Sequence, residues 1–140
     1  MPDLQPVFEE LQRRMSLHED VFRRSFNPTD ANGPRSRKVD DPAPETSYLL
    51  LGAASEKYPD GLTFGGVGIG KRYVSYHLMC VYMGPGLLEG MSPELRKRMQ
   101  GKSCFNFTTV DEGLFDELSA ITAKGRELYA AQGWLATPPV

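Results

Sequence analysis

The stretch Phe64–Phe107, FGGVGIGKRYVSYHLMCVYMGPGLLEGMSPELRKRMQGKSCFNF, decides how this chain folds. Its tyrosines and valines between Lys71 and Tyr82 propagate a strand. Period-two alternation sorts that strand: Val74, Tyr76, Leu78, Cys80 and Tyr82 share one face, and Tyr73, Ser75, His77, Met79 and Val81 share the other. The first set is the more apolar and is assigned to the core. The second carries hydroxyls, an imidazole and a thioether, as suits a half-open sheet face, and Tyr73, Ser75 and His77 become the candidate binding surface.

A second strand, Leu62–Ile69, precedes it. Gly65, Gly66, Gly68 and Gly70 are unusual in a strand and predict a bulge, or close approach of another backbone or a ligand. Gly66 and Gly68 therefore join the candidate ligand-binding residues. GGVGIGK (65–71) has the glycine and lysine spacing of a phosphate-binding loop. That motif needs Ser or Thr after the lysine and a helix N-terminus facing the phosphates. Here Arg72 follows and a strand continues, so the spacing reads as a hairpin through Gly70.

Downstream, MGPGLLEG (83–90) is a turn with a short apolar hook. Ser92 is an N-cap, with Pro93 at the first helical position and Glu94 behind it. Arg96, Lys97 and Arg98 fall at the C-terminal end of that helix, where cations are favoured, and Gly101 closes it in the left-handed conformation. The other reading of this basic run is anion binding together with Lys71, Arg72 and Lys102. Ser103–Phe107 returns to strand, with Phe105 and Phe107 on one face.

Working outward, Leu4–Phe26 reads as helix, with Leu4, Phe8, Leu11, Met15, His18 and Phe22 on one stripe. Ser16 followed by Glu19 matches a capping box and offers a break near Met15. His18 on the apolar stripe reads as a packed histidine. Asn27–Glu45 is a Pro/Gly-rich loop with room for a brief strand at Arg37–Val39. Asp40 and Asp41 before Pro42 read as a solvated turn rather than paired catalytic acids. Ser47–Ala53 fits a strand buried on both faces, with a helical segment as the alternative that periodicity alone leaves open. At the other end, Asp111 caps a helix of Glu112–Gln132 whose stripe is Leu114, Leu118, Ile121, Gly125 and Leu128, with Phe115, Thr122 and Tyr129 beside it. Gly125 costs about 1 kcal/mol relative to alanine in mid-helix, a cost that close packing offsets. Gly133 ends the helix and Trp134–Val140 is a tail.

These elements fill one domain of 140 residues in the α+β class. It is a two-layer sandwich in which the N- and C-terminal helices cover one face of a mostly antiparallel sheet. A net charge of −2 gives the whole chain no electrostatic reason to hold nucleic acid or an anionic membrane. No apolar run approaches the roughly 20 residues of a membrane span, and the acidic, amphipathic start is unlike a signal peptide. Two cysteines give no disulfide framework. A cytoplasmic location follows, with no resident cofactor expected.

The stretches KRYVSYHLM (71–79) and MQGKSCFNF (99–107), followed by VDEGLFDELSAITAKG (110–125), resemble the YdhG-like domain-of-unknown-function family of bacteria, over about Lys38–Gly133. The N-terminal helix and loop, about 1–45, are longer than that family carries, and Cys80 stands where related sequences more often have proline. The resemblance implies a small two-layer domain similar to frataxin, and an iron-chaperone role described for some relatives. No catalytic residues come with it.

Three functions follow. The first is a non-enzymatic domain that holds a small ligand or protein partner on the open sheet face, unless a helix or the second subunit of a homodimer covers it. The second is a frataxin-like iron or metal carrier. Against it, Glu9, Glu10, Glu19 and Asp20 are interrupted by Arg13, Arg14, Arg23 and Arg24, and strand parity points Cys80 and His77 to opposite faces. The third is a small enzyme built on Cys104 beside Lys102, Ser103 and Asn106, for which the sequence assigns no base.

Overall fold

Gly125 lies where a Cβ would stand 2.2 Å from the sulfur of Cys80. That close approach sets how the long C-terminal helix sits against the short helix that carries Cys80. The computed structural model describes residues 3–25, 47–59, 61–70, 72–101 and 103–136. Its elements in order are α1 (Gln5–Ser16), β1 (Arg23–Ser25), β2 (Ser47–Leu51), β3 (Thr63–Ile69), β4 (Val74–Leu78), α2 (Met79–Met83), a 3₁₀ turn (Pro85–Leu88), α3 (Pro93–Arg96), β5 (Met99–Gln100), β6 (Cys104–Phe107) and α4 (Glu112–Gln132). The strands form one six-stranded sheet in the order β1-β2-β3-β4-β6-β5. Every pairing is antiparallel. The α+β architecture read from the sequence is the one observed.

Helices α1 and α2 pack on β3, and α4 packs in turn on α1, α2 and α3. From α1, Leu4, Val7, Phe8, Leu11 and Met15 are buried. The helix stops at Ser16, and the predicted continuation to Phe26 gives way to turns and the edge strand β1. No capping box forms there; the Ser16 hydroxyl instead donates to the Arg13 carbonyl. Phe22 still reaches the core beyond the helix, stacked on Phe64 at 4.1 Å between ring centres. His18 is half-buried as a packed histidine, with Nδ1 3.3 Å from the Arg126 guanidinium.

Between β2 and β3 the register slips: Leu51 pairs with Thr63 and Leu50 with Gly65. Phe64 is left unopposed, which is the bulge that the glycines imply. It turns Phe64 into the core, against Phe22 and Tyr129. In β2, Tyr48, Leu50 and Leu51 are buried but Leu49 is only half-buried, so this strand is not equally covered on both faces.

The alternation read for Tyr73–Tyr82 holds to Leu78 and no further. Met79 starts α2, so Val81 is buried and Tyr82 is exposed, opposite to the strand expectation. The cause is tertiary: the turn of helix delivers Cys80 to Gly125. Ser92 caps α3 through Leu95 N–H, as its sequence predicts. Arg98 lies beyond that short helix, and Gly101 takes its positive φ in the β5–β6 turn rather than at the helix end.

Asp111 caps α4 through Leu114 N–H, and the left-handed Gly133 ends it. Arg14 ties α1 to α4 through Glu112 at 2.7 Å and Asp116 at 2.8 Å. It also meets Glu10, whose carboxyl is lowered to about 2 by its hydrogen bond to Arg13, aided by Arg14. The C-terminal segment is no loose tail up to Ala136. The Trp134 carbonyl accepts from Ala53 N–H, and Ala136 N–H donates to the Val21 carbonyl. The sequence readings at Arg37–Val39, Asp40 and Asp41 lie outside the described residues.

Candidate functional site

On the side of β3, β4 and β6 away from the helices, the register brings polar residues together. Gly66 lies opposite His77, and Gly68 opposite Ser75. Across β4, Ser75 is paired with Asn106 and His77 with Cys104. Inward-facing Val74, Tyr76 and Leu78 of β4, and Phe105 and Phe107 of β6, are all buried. That fixes Ser75, His77, Cys104 and Asn106 on the outer face, where each is half-buried.

These side chains satisfy one another. Ser75 Oγ donates to Asn106 Oδ1 at 2.8 Å, and Asn106 Nδ2 donates to Gln100 Oε1 on β5. His77 Nδ1 lies 3.0 Å from Cys104 Sγ and 3.3 Å from Ser103 Oγ. Burial lowers the pKa of His77 and raises that of Cys104, the latter opposed by the Ser103 hydroxyl. Both effects favour the uncharged forms, so the pair rests as thiol and neutral imidazole. The sequence assigns no base to Cys104; the titratable side chain the fold places within hydrogen-bond reach of it is His77, on the neighbouring strand.

At the β5 end the face opens into a groove of about 310 Å³, lined among others by Tyr73, Lys97, Arg98, Gln100, Asn106 and Thr108. Lys97 and Arg98 are exposed, and among the described residues neither has a carboxylate within ion-pair reach. Tyr73 is 36% exposed and so offers part of its ring to the groove.

The structure therefore gathers Tyr73, Ser75, His77, Gly66 and Gly68 on or beside one face. The two glycines differ. A Cβ at Gly66 would meet Leu49 Cδ2 at 2.6 Å, whereas one at Gly68 would meet nothing within 4 Å. Leu49 covers the first position; the second is open. Arg72 is exposed in the β3–β4 turn and does not line the groove. Lys71 and Lys102 lie outside the described residues. The cations at the groove are Lys97 and Arg98, just beyond α3, from the basic run for which anion binding was the other reading of the sequence.

Gln100 is the residue that sequence reasoning missed; Cys104 and Asn106 entered it only as parts of a small enzyme without a base, not as members of this face. Inward Phe105 and Phe107 already imply outward Cys104 and Asn106; what was missing was the pairing partner of β6. Cys80 is separated from all of them. It is fully buried, packed against Gly125 and pushed up to about 12 by burial. Both cysteines are free thiols, on opposite sides of the sheet. Among the described residues, no group of three His, Cys, Asp or Glu side chains is placed to hold a metal ion. No described helix is long and apolar enough to cross a membrane. No protein family, curated protein or solved structure matches this chain.

Proposed function

We propose that the protein is a cytoplasmic, non-enzymatic binding domain that holds a small anionic ligand in the groove between Tyr73, Lys97 and Arg98. The groove itself carries this reading: cations that have no carboxylate partner among the described residues stand beside a partly exposed aromatic ring. An anionic group would sit against Lys97 and Arg98, and a flat portion of the ligand against Tyr73. Gln100, Asn106 and Thr108 supply amide and hydroxyl groups that fix orientation, as a few polar groups do in most small-ligand sites. Bidentate geometry makes Arg98 the more discriminating of the two cations.

The metal-carrier alternative draws no support from the described side chains, and the YdhG-like resemblance supports the fold more than any role. A panel of inorganic phosphate, citrate and a nucleoside monophosphate tests the proposal by native mass spectrometry and thermal shift. The flat, charged nucleotide should bind best, and reversing both charges (Lys97→Glu with Arg98→Glu) should abolish the shift. Binding that ignores the charge reversal, or a panel that leaves the melting temperature unmoved, overturns it.

A further inference from the structure

We propose that Cys104 is a site of reversible modification by small disulfides, with His77 as the group that accepts the thiol proton. The two residues form a nucleophile–base pair across the β4–β6 ladder, Sγ to Nδ1 at 3.0 Å. A nucleophile and a base within hydrogen-bond reach is the arrangement that activates a thiol. The Ser103 hydroxyl, in a residue that is 96% buried, sits 3.3 Å from the same Nδ1 and also hydrogen-bonds Cys104, where it favours the thiolate. Cys104 is half-buried on the outer face rather than sealed in the core.

Sulfur electrophiles fit this pair better than acyl or phosphoryl substrates do. Attack on a disulfide builds no oxyanion, so it needs no cluster of preorganised donors beside the sulfur. The step balances without an outside oxidant. The Cys104 thiol gives its proton to His77 Nδ1, and the thiolate attacks one sulfur of the small disulfide. The old S–S bond breaks as the protein–sulfur bond forms, and the leaving thiolate takes the proton back from His77. One small disulfide is consumed, one mixed disulfide forms, and one small thiol departs.

The neighbourhood selects an anionic disulfide. Gln100 is paired with Cys104 across β5–β6 and also lines the groove that carries Lys97 and Arg98. Those cations share the groove with Gln100, the cross-strand neighbour of Cys104, and they raise the local concentration of anions there. Peptide-like disulfides with free carboxylates match this chemistry. The inference does not depend on the groove holding a resident ligand, because the thiol chemistry needs only the Cys104–His77 pair.

Glutathione disulfide is the probe, with intact mass and peptide mapping as the readout on the folded full chain. One mixed disulfide should form at Cys104, none at Cys80, and dithiothreitol should remove it. Its rate near neutral pH should equal or exceed that of N-acetylcysteine under the same conditions. His77→Asn should slow it about tenfold or more, as loss of a general base does, and Cys104→Ser should abolish it. A Cys104 rate well below that of N-acetylcysteine, an adduct on Cys80, or a rate unchanged in His77→Asn each overturns the proposal. Should His77→Asn not fold, the wild-type comparison with N-acetylcysteine decides alone. Lys97→Glu with Arg98→Glu separates the two proposals: it should abolish ligand binding while leaving reaction with the cationic disulfide cystamine no slower than wild type.

Discussion

The two faces of β3, β4 and β6 are built from alternate residues of the same short segments, yet they solve the problem of polar groups in opposite ways. On the inner face the polar atoms reach across to the helices. The Tyr76 hydroxyl meets Thr122 Oγ1 at 2.6 Å, and the Tyr129 hydroxyl donates to the Thr63 carbonyl at 2.7 Å. On the outer face they bond sideways within the sheet, Ser75 to Asn106 to Gln100 and His77 to Cys104. A cross-layer bond fixes a helix on a sheet; a lateral bond leaves the face complete without a cover. The inner face is thus the source of stability, and the outer one is free to carry chemistry.

Phe64→Ala should show the largest effect on the stability side of that contrast. The ring is fully buried, stacked on Phe22 and edge-on to Tyr129 at 5.2 Å. Losing it removes both aromatic contacts and leaves a cavity beneath the bulge, which costs about 3–5 kcal/mol. Urea unfolding measures this directly. A loss under 1 kcal/mol (roughly that of an exposed site) would mean that the helix layer is not anchored through Phe64.

Gly125→Ala comes next and isolates the contact of α4 with α2. Alanine is better than glycine in a helix by about 1 kcal/mol. Here the added methyl would lie 2.2 Å from Cys80 Sγ and 2.8 Å from its Cβ. Overpacking should win, for a net loss of about 1–3 kcal/mol. Adding Cys80→Ala should return part of that loss, because it removes the nearer clash and leaves the farther. Strict additivity of the two substitutions would break the assignment of Gly125 to this contact.

How much of this was legible in advance depends on the range of the interaction that decides each feature. Asp111, Gly133, Ser92 and Pro93 are local signals, read by backbone groups within a turn, and they mark α4 and α3 correctly. The facing of Val74, Tyr76 and Leu78 is equally local. Leu4–Phe26 misled because Phe22 keeps the helical spacing of the stripe while occupying it from a turn, stacked on Phe64. Met79–Met83 carries strand-like residues, but the contact of Cys80 with Gly125 forms only in the folded chain. The site failed for the same reason. That Cys104 and His77 are both outward follows from parity, but that they are opposite each other follows from register, which no local pattern states.

Acid titration compares the faces by a smaller effect, because each carries one half-buried histidine. His77 on the outer face faces Cys104 and Ser103; His18 on the helix side faces Arg126 and Asp20. Burial lowers the pKa of both from the ordinary 6.5, with Arg126 adding to the effect on His18. A lowered folded value means that the unfolded chain takes up protons first as the pH falls. Stability is therefore full above about 6.5 and declines below it, until the folded form protonates too. Melting temperatures between neutral pH and the mildly acidic range should show this fall. His77→Asn and His18→Asn should each flatten part of it; a decline untouched by both would place its origin elsewhere.

Ser75→Ala should produce the smallest change, and its smallness sharpens the comparison most. The hydroxyl bonds only sideways, to Asn106, on a face that no described helix covers. Removing it costs one hydrogen bond worth about 0.5–1.5 kcal/mol, but Asn106 is half-buried and keeps Gln100, so water can meet the freed Oδ1. The expected loss is under about 1 kcal/mol. Its counterpart on the same strand, Tyr76→Phe, strips a fully buried hydroxyl from Thr122. Thr122 also donates to the Leu118 carbonyl, so it is not orphaned, yet the cross-layer tie is lost where water cannot replace it. Urea unfolding of the two variants side by side should rank Tyr76→Phe above Ser75→Ala. Were Ser75→Ala the more damaging, the outer ladder would be part of the stabilising framework, and its residues would not be free to serve a ligand.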